Sequence, residues 1–313
     1  MNEQPIDVSV ITTTYNRAGL LPRAWDSLNG QTPSFEWIIA DDASTDGTEE
    51  VVRSFSDDRI VYIRHTENRG GPNAGRNWGT RIARGRYVVF LDDDDELYPG
   101  SLADMVRRMD EADPRVGVAL FQCVLAGGGR WDDRIVDGAI YKEKEVVCGD
   151  VLGLEKICIY RKEVFDHFTL PEDLLCSEGV FVFSVSKRYN FLMVAQPGRI
   201  YHYDATSVSG PEAIVARSRQ IAMGYERILA NHWEVMGDCP KMEATYSTKA
   251  LYRYAVADCP WDALRMFRRL LRRGPIREIL RGGVILLLGL MRSAKILDKV
   301  RTARLRRARF RCV

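Results

Sequence analysis

Along the first 125 residues, short runs of β-branched and apolar residues alternate with segments whose apolar positions recur every three or four residues. Val8–Thr13 is mostly β-branched and apolar, which predicts a strand covered on both faces. Further strands are predicted at Glu36–Ala40, Ile60–Arg64, Tyr87–Leu91 and Val116–Cys123. Between them the spacing predicts helices over Leu20–Leu28, with Pro22 in the first turn, and over Thr48–Ser54, after the Asp46-Gly47 turn. Two more are predicted over Pro72–Arg84, ending near Gly85, and over Ser101–Glu111. Strands separated by helices of this length imply an α/β fold with a mostly parallel, doubly wound sheet.

Beyond Leu125 the rhythm breaks. Gly127-Gly128-Gly129 opens a polar excursion to Asp150 that includes Trp131, a ring able to stack on a sugar or to anchor the loop. Shorter elements are predicted at Ile157–Tyr160, Glu178–Tyr189, Met193–Ala195 and Arg199–Tyr203. After Pro211 the pattern is helical, with breaks at Gly237–Pro240, Pro260 and Gly274-Pro275.

Composition changes the picture only where it is uneven. With 46% hydrophobic and 28% charged residues, the 313-residue chain is neither disordered, collagen-like nor a polytopic membrane protein. Its net charge of +2 averages two unlike pieces. From Leu264 onward there are 16 basic residues against two acidic ones, whereas the preceding 263 residues carry 29 basic and 41 acidic. The seven cysteines show no CxxC pair, which argues against a disulfide framework or structural zinc and for a reducing compartment. MNEQPID has neither a basic n-region nor an apolar h-region, and the longest apolar run, Val284–Met291, falls far short of the roughly 20 residues that span a bilayer. A cytoplasmic protein is expected.

Ligands of an open parallel sheet bind at the carboxyl ends of its strands. Here those ends carry Thr13-Thr14-Tyr15-Asn16-Arg17, Asp41-Asp42, then Asn68-Arg69-Gly70-Gly71 and Arg76, and finally Asp92-Asp93-Asp94-Asp95. Four adjacent carboxylates repel one another, a cost that a hard divalent cation bridging to phosphate oxygens reverses. A solvated acidic surface is the rival reading of that run. Gly70, Gly71 and Gly75 match neither GxGxxG nor a P-loop, although a glycine-rich helix start beside Arg76 suits a diphosphate.

VSVITTTYNR at 8–17, SLNGQT at 27–32, DDASTDGT at 41–48, NRGGPNAGRNWG at 68–79 and YVVFLDDDDELYPG at 87–100 together resemble a family 2 glycosyltransferase, an inverting enzyme of the GT-A fold. The likeness covers about 120 residues in five ordered motifs and continues more weakly to Ser209. It implies a catalytic domain over residues 1–210, with a nucleotide-sugar half at 1–125 and an acceptor half at 126–210. It implies that Thr13, Tyr15 and Arg17 line the nucleotide, with Asp42 on a uracil-type base and Arg76 beside base or diphosphate. Asp92 would lie at the ribose and share the metal with Asp94, Asp93 being the middle residue of the DxD pair. Mn²⁺ or Mg²⁺ and a nucleotide sugar, expected to be a UDP-sugar, are the implied cofactor and donor. The implied activity is hexosyl or N-acetylhexosaminyl transfer to a glycan or lipid-linked acceptor in polysaccharide synthesis.

The general base of such a transfer is a carboxylate. The matching place is Ser177-Glu178-Gly179, where the family's second acid is replaced by Gly179. That makes Glu178 the candidate, with Asp173 and Glu172 as alternatives and an ordinary helix-start glutamate as the structural explanation. His202 in YHYDATSVS stands where relatives often carry an Arg or His near the diphosphate, and is a further metal candidate. A nucleotidyltransferase and a catalytically silent membrane-bound subunit are the rival functions.

Residues 211–313 are expected to form a basic helical region. Leu264, Phe267, Leu270 and Leu271 recur at helical spacing among arginines, the pattern of a helix lying on an anionic membrane. A peripheral protein on the inner membrane face is expected, with a homodimer interface as the rival. Nucleic acid is not expected, because no nucleic-acid-binding motif accompanies the charge.

Overall fold

The computed structural model describes residues 5–128, 135–149, 155–174, 178–202 and 211–290. Its strands are β1 (Val8–Thr14), β2 (Phe35–Asp41), β3 (Ile60–Arg64), β4 (Tyr87–Phe90), β5 (Glu96–Leu97), β6 (Val116–Leu125), β7 (Ile140–Tyr141), β8 (Lys156–Arg161) and β9 (Asn190–Tyr201). The helices are α1 (Leu21–Asn29), α2 (Thr48–Ser54), α3 (Pro72–Ile82), α4 (Ser101–Glu111), α5 (Glu143–Cys148) and α6 (Glu178–Ser186), then α7 (Pro211–Ala216), α8 (Ser218–Asn231), α9 (Trp233–Gly237), α10 (Pro240–Val256), α11 (Pro260–Arg273) and α12 (Ile276–Leu290). Two compact units divide the chain. One comprises Met1–Glu172 and Phe181–Tyr203, the other Asp173–Val180 and Asp204–Val313.

The first unit holds a mixed sheet in the order β3-β2-β1-β4-β8-β6-β9-β5, with β7 pairing β9. The β3-β2-β1-β4 portion is parallel, whereas β8 runs antiparallel to both β4 and β6. The fifth predicted strand therefore does not simply extend the parallel sheet; β8, from much later in the chain, separates it from β4. Alternating residues supply the two faces, as a period of two requires. Val8, Val10, Trp37, Ile39 and Val89 join Leu21, Leu28, Leu102 and Met105 in one apolar layer. Ile11, Ile38 and Val88 pack with Ala83 in the other.

On that second face α3 approaches β1 and β2 closely because its inward positions are glycines. A methyl group on Gly75 would lie 2.8 Å from Thr13 Cγ2 and 3.0 Å from the Ala40 Cβ, and one on Gly79 would lie 2.7 Å from Ile11 Cγ2. Two of the strands foreseen near residues 193 and 199 are one continuous strand, β9, and β5 is too short to show a period. Cys148 and Cys239 each form a disulfide, contrary to the expectation from cysteine spacing, while Cys123, Cys158 and Cys259 are free thiols. Spacing along a chain does not report which sulfurs the fold brings together.

The second unit is helical. Its core gathers Ala244, Ala250, Leu251 and Tyr254 of α10 with Ala263, Met266 and Leu270 of α11 and Ile285 of α12. Leu270, assigned from sequence to a membrane-facing stripe, is only 1% exposed, and Phe267 packs against the same core. Most of the apolar side of α11 is thus spent on intramolecular packing, although Leu271 of the same stripe is 54% exposed. Among the described residues no helix is long and apolar enough to cross a membrane. Arg292–Arg311, the distal part of the basic tail, lie outside the described residues.

Candidate active site

Parallel register brings the carboxyl ends of β1, β2 and β4 to one edge, with Thr14 opposite Asp41 and Ile11 opposite Phe90. The loops that leave this edge are unusual in backbone. Asn16 (φ 52°) and Ala43 (φ 65°) both occupy the left-handed region, which for a residue with a β-carbon is sparsely populated and recurs at functional sites. The two loops are laced together: Asn16 N–H donates to Ser44 Oγ at 2.9 Å, and Thr45 N–H donates to Asn16 Oδ1 at 2.7 Å.

The acidic run after β4 divides its four carboxylates between inside and outside. Asp93 is buried, accepting from Thr14 Oγ1 at 2.8 Å and Arg17 Nη1 at 2.7 Å. Burial pushes its carboxyl up to about 7 against the pull of Arg17 and Thr14. Asp93 anchors Arg17, which reaches Asp94 with its other terminal nitrogen at 2.6 Å. Asp92 accepts from Arg76 Nη2 at 2.7 Å and from Arg199 Nη1 at 3.2 Å. Burial acts to raise its pKa, but the Arg76 and Arg199 charges outweigh it and hold the carboxyl below the ordinary range. Asp95 is buried, 2.9 Å from Arg199, and burial raises its pKa despite that partner.

One carboxylate oxygen from each of Asp92, Asp94 and Asp95 lies within 4.8 Å of the others. These are hard oxygen donors of the kind Mg²⁺ and Mn²⁺ take. Asp95 Oδ2 is buried against the Arg199 guanidinium at 2.9 Å without an aligned hydrogen bond, so its charge is only partly satisfied there. The donor set fits a divalent metal.

Arg199 is the residue that sequence reading missed. Nearly fully buried on β9, it pairs with Asp92 and Asp95, reaches Glu155 at 3.1 Å and donates from Nε to Cys123 Sγ at 3.3 Å. The signal was present: an arginine inside the apolar strand 190–200 requires buried anions, because a lone buried charge is not tolerated. Arg23, on α1, donates to the Asp94 carbonyl.

The remaining candidates fall out as follows. Thr13 packs beside α3, and Tyr15 is exposed at the same edge. Asp42 accepts from the backbone N–H groups of Arg69 at 2.8 Å and Gly70 at 3.2 Å, so it shapes the glycine-rich loop, in which Gly70 adopts φ 82°. His202 donates its backbone N–H to Asp95 at 3.1 Å, and its ring meets Glu96, not the three clustered aspartates. Glu178 is exposed at the first residue of α6 and belongs to the second unit. Asp173 is held by Arg227 at 2.6 and 3.0 Å, and that hydrogen bonding lowers its pKa; Glu172 accepts from Asn77 at 2.8 Å. Trp131 and Ser177 lie outside the described residues.

A Rossmann-like half-sheet whose fourth strand runs into an acidic cluster bound by arginines is the architecture of a GT-A glycosyltransferase. The model of the family described as Glycosyl transferase family 2 matches residues 9–168, just over half of the chain, and the protein belongs to that family. The nucleotidyltransferase and silent-subunit readings are thereby displaced. Among curated proteins, the chain is 27% identical to the GalNAc(5)-diNAcBac-PP-undecaprenol beta-1,3-glucosyltransferase of Campylobacter jejuni, across 82% of this chain and 88% of that one. It is 35% identical to the Escherichia coli UDP-Glc:alpha-D-GlcNAc-diphosphoundecaprenol beta-1,3-glucosyltransferase WfaP, over 33% of this chain and 41% of that one. The fold is shared with Staphylococcus aureus TarS 1-349 in complex with UDP, at TM-score 0.58 and 19% identity, covering 86% of this chain and 92% of that one. The Pyrobaculum calidifontis mannosyltransferase PcManGT in complex with GDP-Man and Mn²⁺ also shares it, at TM-score 0.58 and 19% identity, covering 95% and 86%.

Proposed function

We propose that this glycosyltransferase is metal-dependent and inverting, and that it moves a sugar from a UDP donor to a hydroxyl of a lipid-linked glycan during polysaccharide assembly. The observation that carries the reading is the convergence of Asp92, Asp94 and Asp95 with Arg17 and Arg76 at the sheet edge where β1 ends just after Thr13 and β2 just before Asp42. Asp94 and Asp92, with Asp95 beside them, would hold Mn²⁺ or Mg²⁺. When bound, the cation offsets the negative charge that develops on the departing nucleotide diphosphate. Arg76 would lie beside the base or diphosphate, and Asp42, which keeps the loop at Arg69–Gly70 in shape, would also accept from the base. Glu178 takes the proton from the acceptor hydroxyl as its oxygen bonds to the anomeric carbon, so that an α-linked donor yields a β-glycoside.

Support for donor and acceptor comes from the relatives. The Campylobacter protein is named for β-1,3 glucosyl transfer to an undecaprenol-diphosphate glycan, the Escherichia coli one for UDP-Glc, and the fold neighbours are complexes of UDP and of GDP-Man with Mn²⁺. A lipid-linked acceptor calls for an enzyme at a membrane surface; the inner, cytoplasmic face is our reading, with the basic residues from Leu264 onward as the electrostatic attachment. Calorimetry of UDP with and without Mn²⁺ tests the central reading. The native chain should bind UDP in a Mn²⁺-dependent manner and Asp94→Ala should not; equal Mn²⁺ dependence in both would overturn it.

A further inference from the structure

The last described helix, α12, carries large apolar residues on two sides. Surface helices ordinarily turn their large apolar residues inward. On α12 the inward positions are Ile285 in the core, Ile279 and Leu286 packed against it, Gly282 against Leu270 and Phe267, and Gly289 against Ala255. Four other large residues face outward: Ile276, Leu280, Val284 and Leu287 are 78, 67, 57 and 62% exposed. Their spacing of four, four and three residues places them on one side of the helix, and the exposed Arg277 and Arg281 run along its edge. The stripe extends for about 16 Å, far short of the roughly 30 Å of a hydrocarbon core, so it suits burial parallel to a membrane and not across it.

We propose that α12 inserts this stripe into the interfacial layer of an anionic bilayer, with Arg277 and Arg281 meeting the lipid phosphates. The inference rests on the membrane-surface reading above and adds the apolar element that charge alone lacks. Charge complementarity selects this occupant. A second copy meeting the stripe about a two-fold axis would set Arg277 and Arg281 against their own equivalents in the most basic part of the chain. The chain's own residues 291–313 carry nine Lys/Arg and one acid, so they too would bring like charge to that edge. An anionic lipid surface meets both features with the correct sign. It also gives a use to the exposed leucines, which folding gains nothing by exposing.

Sedimentation of the full chain with vesicles of phosphatidylcholine alone, or of phosphatidylcholine with phosphatidylglycerol, tests the inference. The native chain should pellet with the anionic vesicles. The pair Leu280→Ser and Leu287→Ser should lower its partitioning about a hundredfold, with unchanged circular dichroism and UDP binding. Ile276→Ser with Val284→Ser, on the same stripe, should act likewise and guards against one pair misfolding. Anionic binding that survives both pairs would overturn the insertion of α12 while leaving electrostatic attachment intact. Failure of the native chain to pellet with either vesicle would overturn both readings. A vesicle-free dimer that the serines convert to monomer would assign the stripe to a second copy and overturn the inference.

Discussion

Replacing Arg199 by methionine tests whether the acidic run is held together by one buried guanidinium. Methionine approximates the volume of the aliphatic stem, so the perturbation is mostly electrostatic. Of the three carboxylates around Arg199, Glu155 is half exposed and loses little. Asp92 keeps Arg76 at 2.7 Å. Asp95 is 1% exposed and retains only the backbone N–H of His202, so it bears the main loss. Removing one partner of a buried pair costs about 3–5 kcal/mol, and the freed carboxyl can limit this by taking a proton, so about 3 kcal/mol is expected. For a unit of this size that lowers Tm by about 6–12 °C. The measurement is calorimetric unfolding in EDTA, which keeps adventitious cations from substituting for the arginine. Adding Asp95→Asn to Arg199→Met should restore about 1–2 kcal/mol, since the uncompensated charge is then gone. A Tm drop below about 2 °C, or strict additivity of the two changes, would refute the assignment of Arg199 as the hub.

Three further outcomes are expected. Glu178→Gln should leave UDP affinity unchanged and lower transfer by about a hundredfold or more, as removal of a general base does; undiminished turnover would return Glu178 to an ordinary helix-start glutamate. Gly75→Ala should destabilise by about 1–2 kcal/mol, because overpacking against Thr13 and Ala40 outweighs the better helix propensity. It should also weaken UDP binding through the displaced Thr13; a more stable variant with native affinity would contradict the close packing. Tyr62 donates to the buried Asp41, and burial together with that bond raises the phenol's pKa above its usual value. A raised folded pKa stabilises fully below the unfolded value near 10 and is lost as pH climbs through the folded one. Tyr62→Phe should therefore cost about 1 kcal/mol in urea unfolding at neutral pH, with the deficit narrowing above pH ~10; a constant deficit would show that Tyr62 does not titrate late.

The chain's periodicities were sufficient for the nucleotide-side half of the fold. An apolar run such as Val8–Thr14 buries both faces wherever it lies in a parallel sheet, and α2, β3 and α4 begin and end where turn residues force them to. The ordered motifs likewise identified the family, and strand ends located Asp42, Arg76 and the acidic run, because in parallel strands the carboxyl ends must share an edge.

What local pattern could not decide was which distant residue meets which. Arg199, more than 100 positions beyond Asp92, becomes its partner only through the pairing of β6, β8 and β9, and Asp93 differs from Asp94 only in which way the chain turns after β4. The same holds for the basic helices. Sequence spacing assigned the apolar stripe of α11 to a membrane, yet packing buried Leu270 and left Leu280 and Leu287 of α12 outside. Which of two apolar faces reaches water depends on what else is available to cover it, and that is a property of the assembled tertiary structure, not of the segment that carries the pattern.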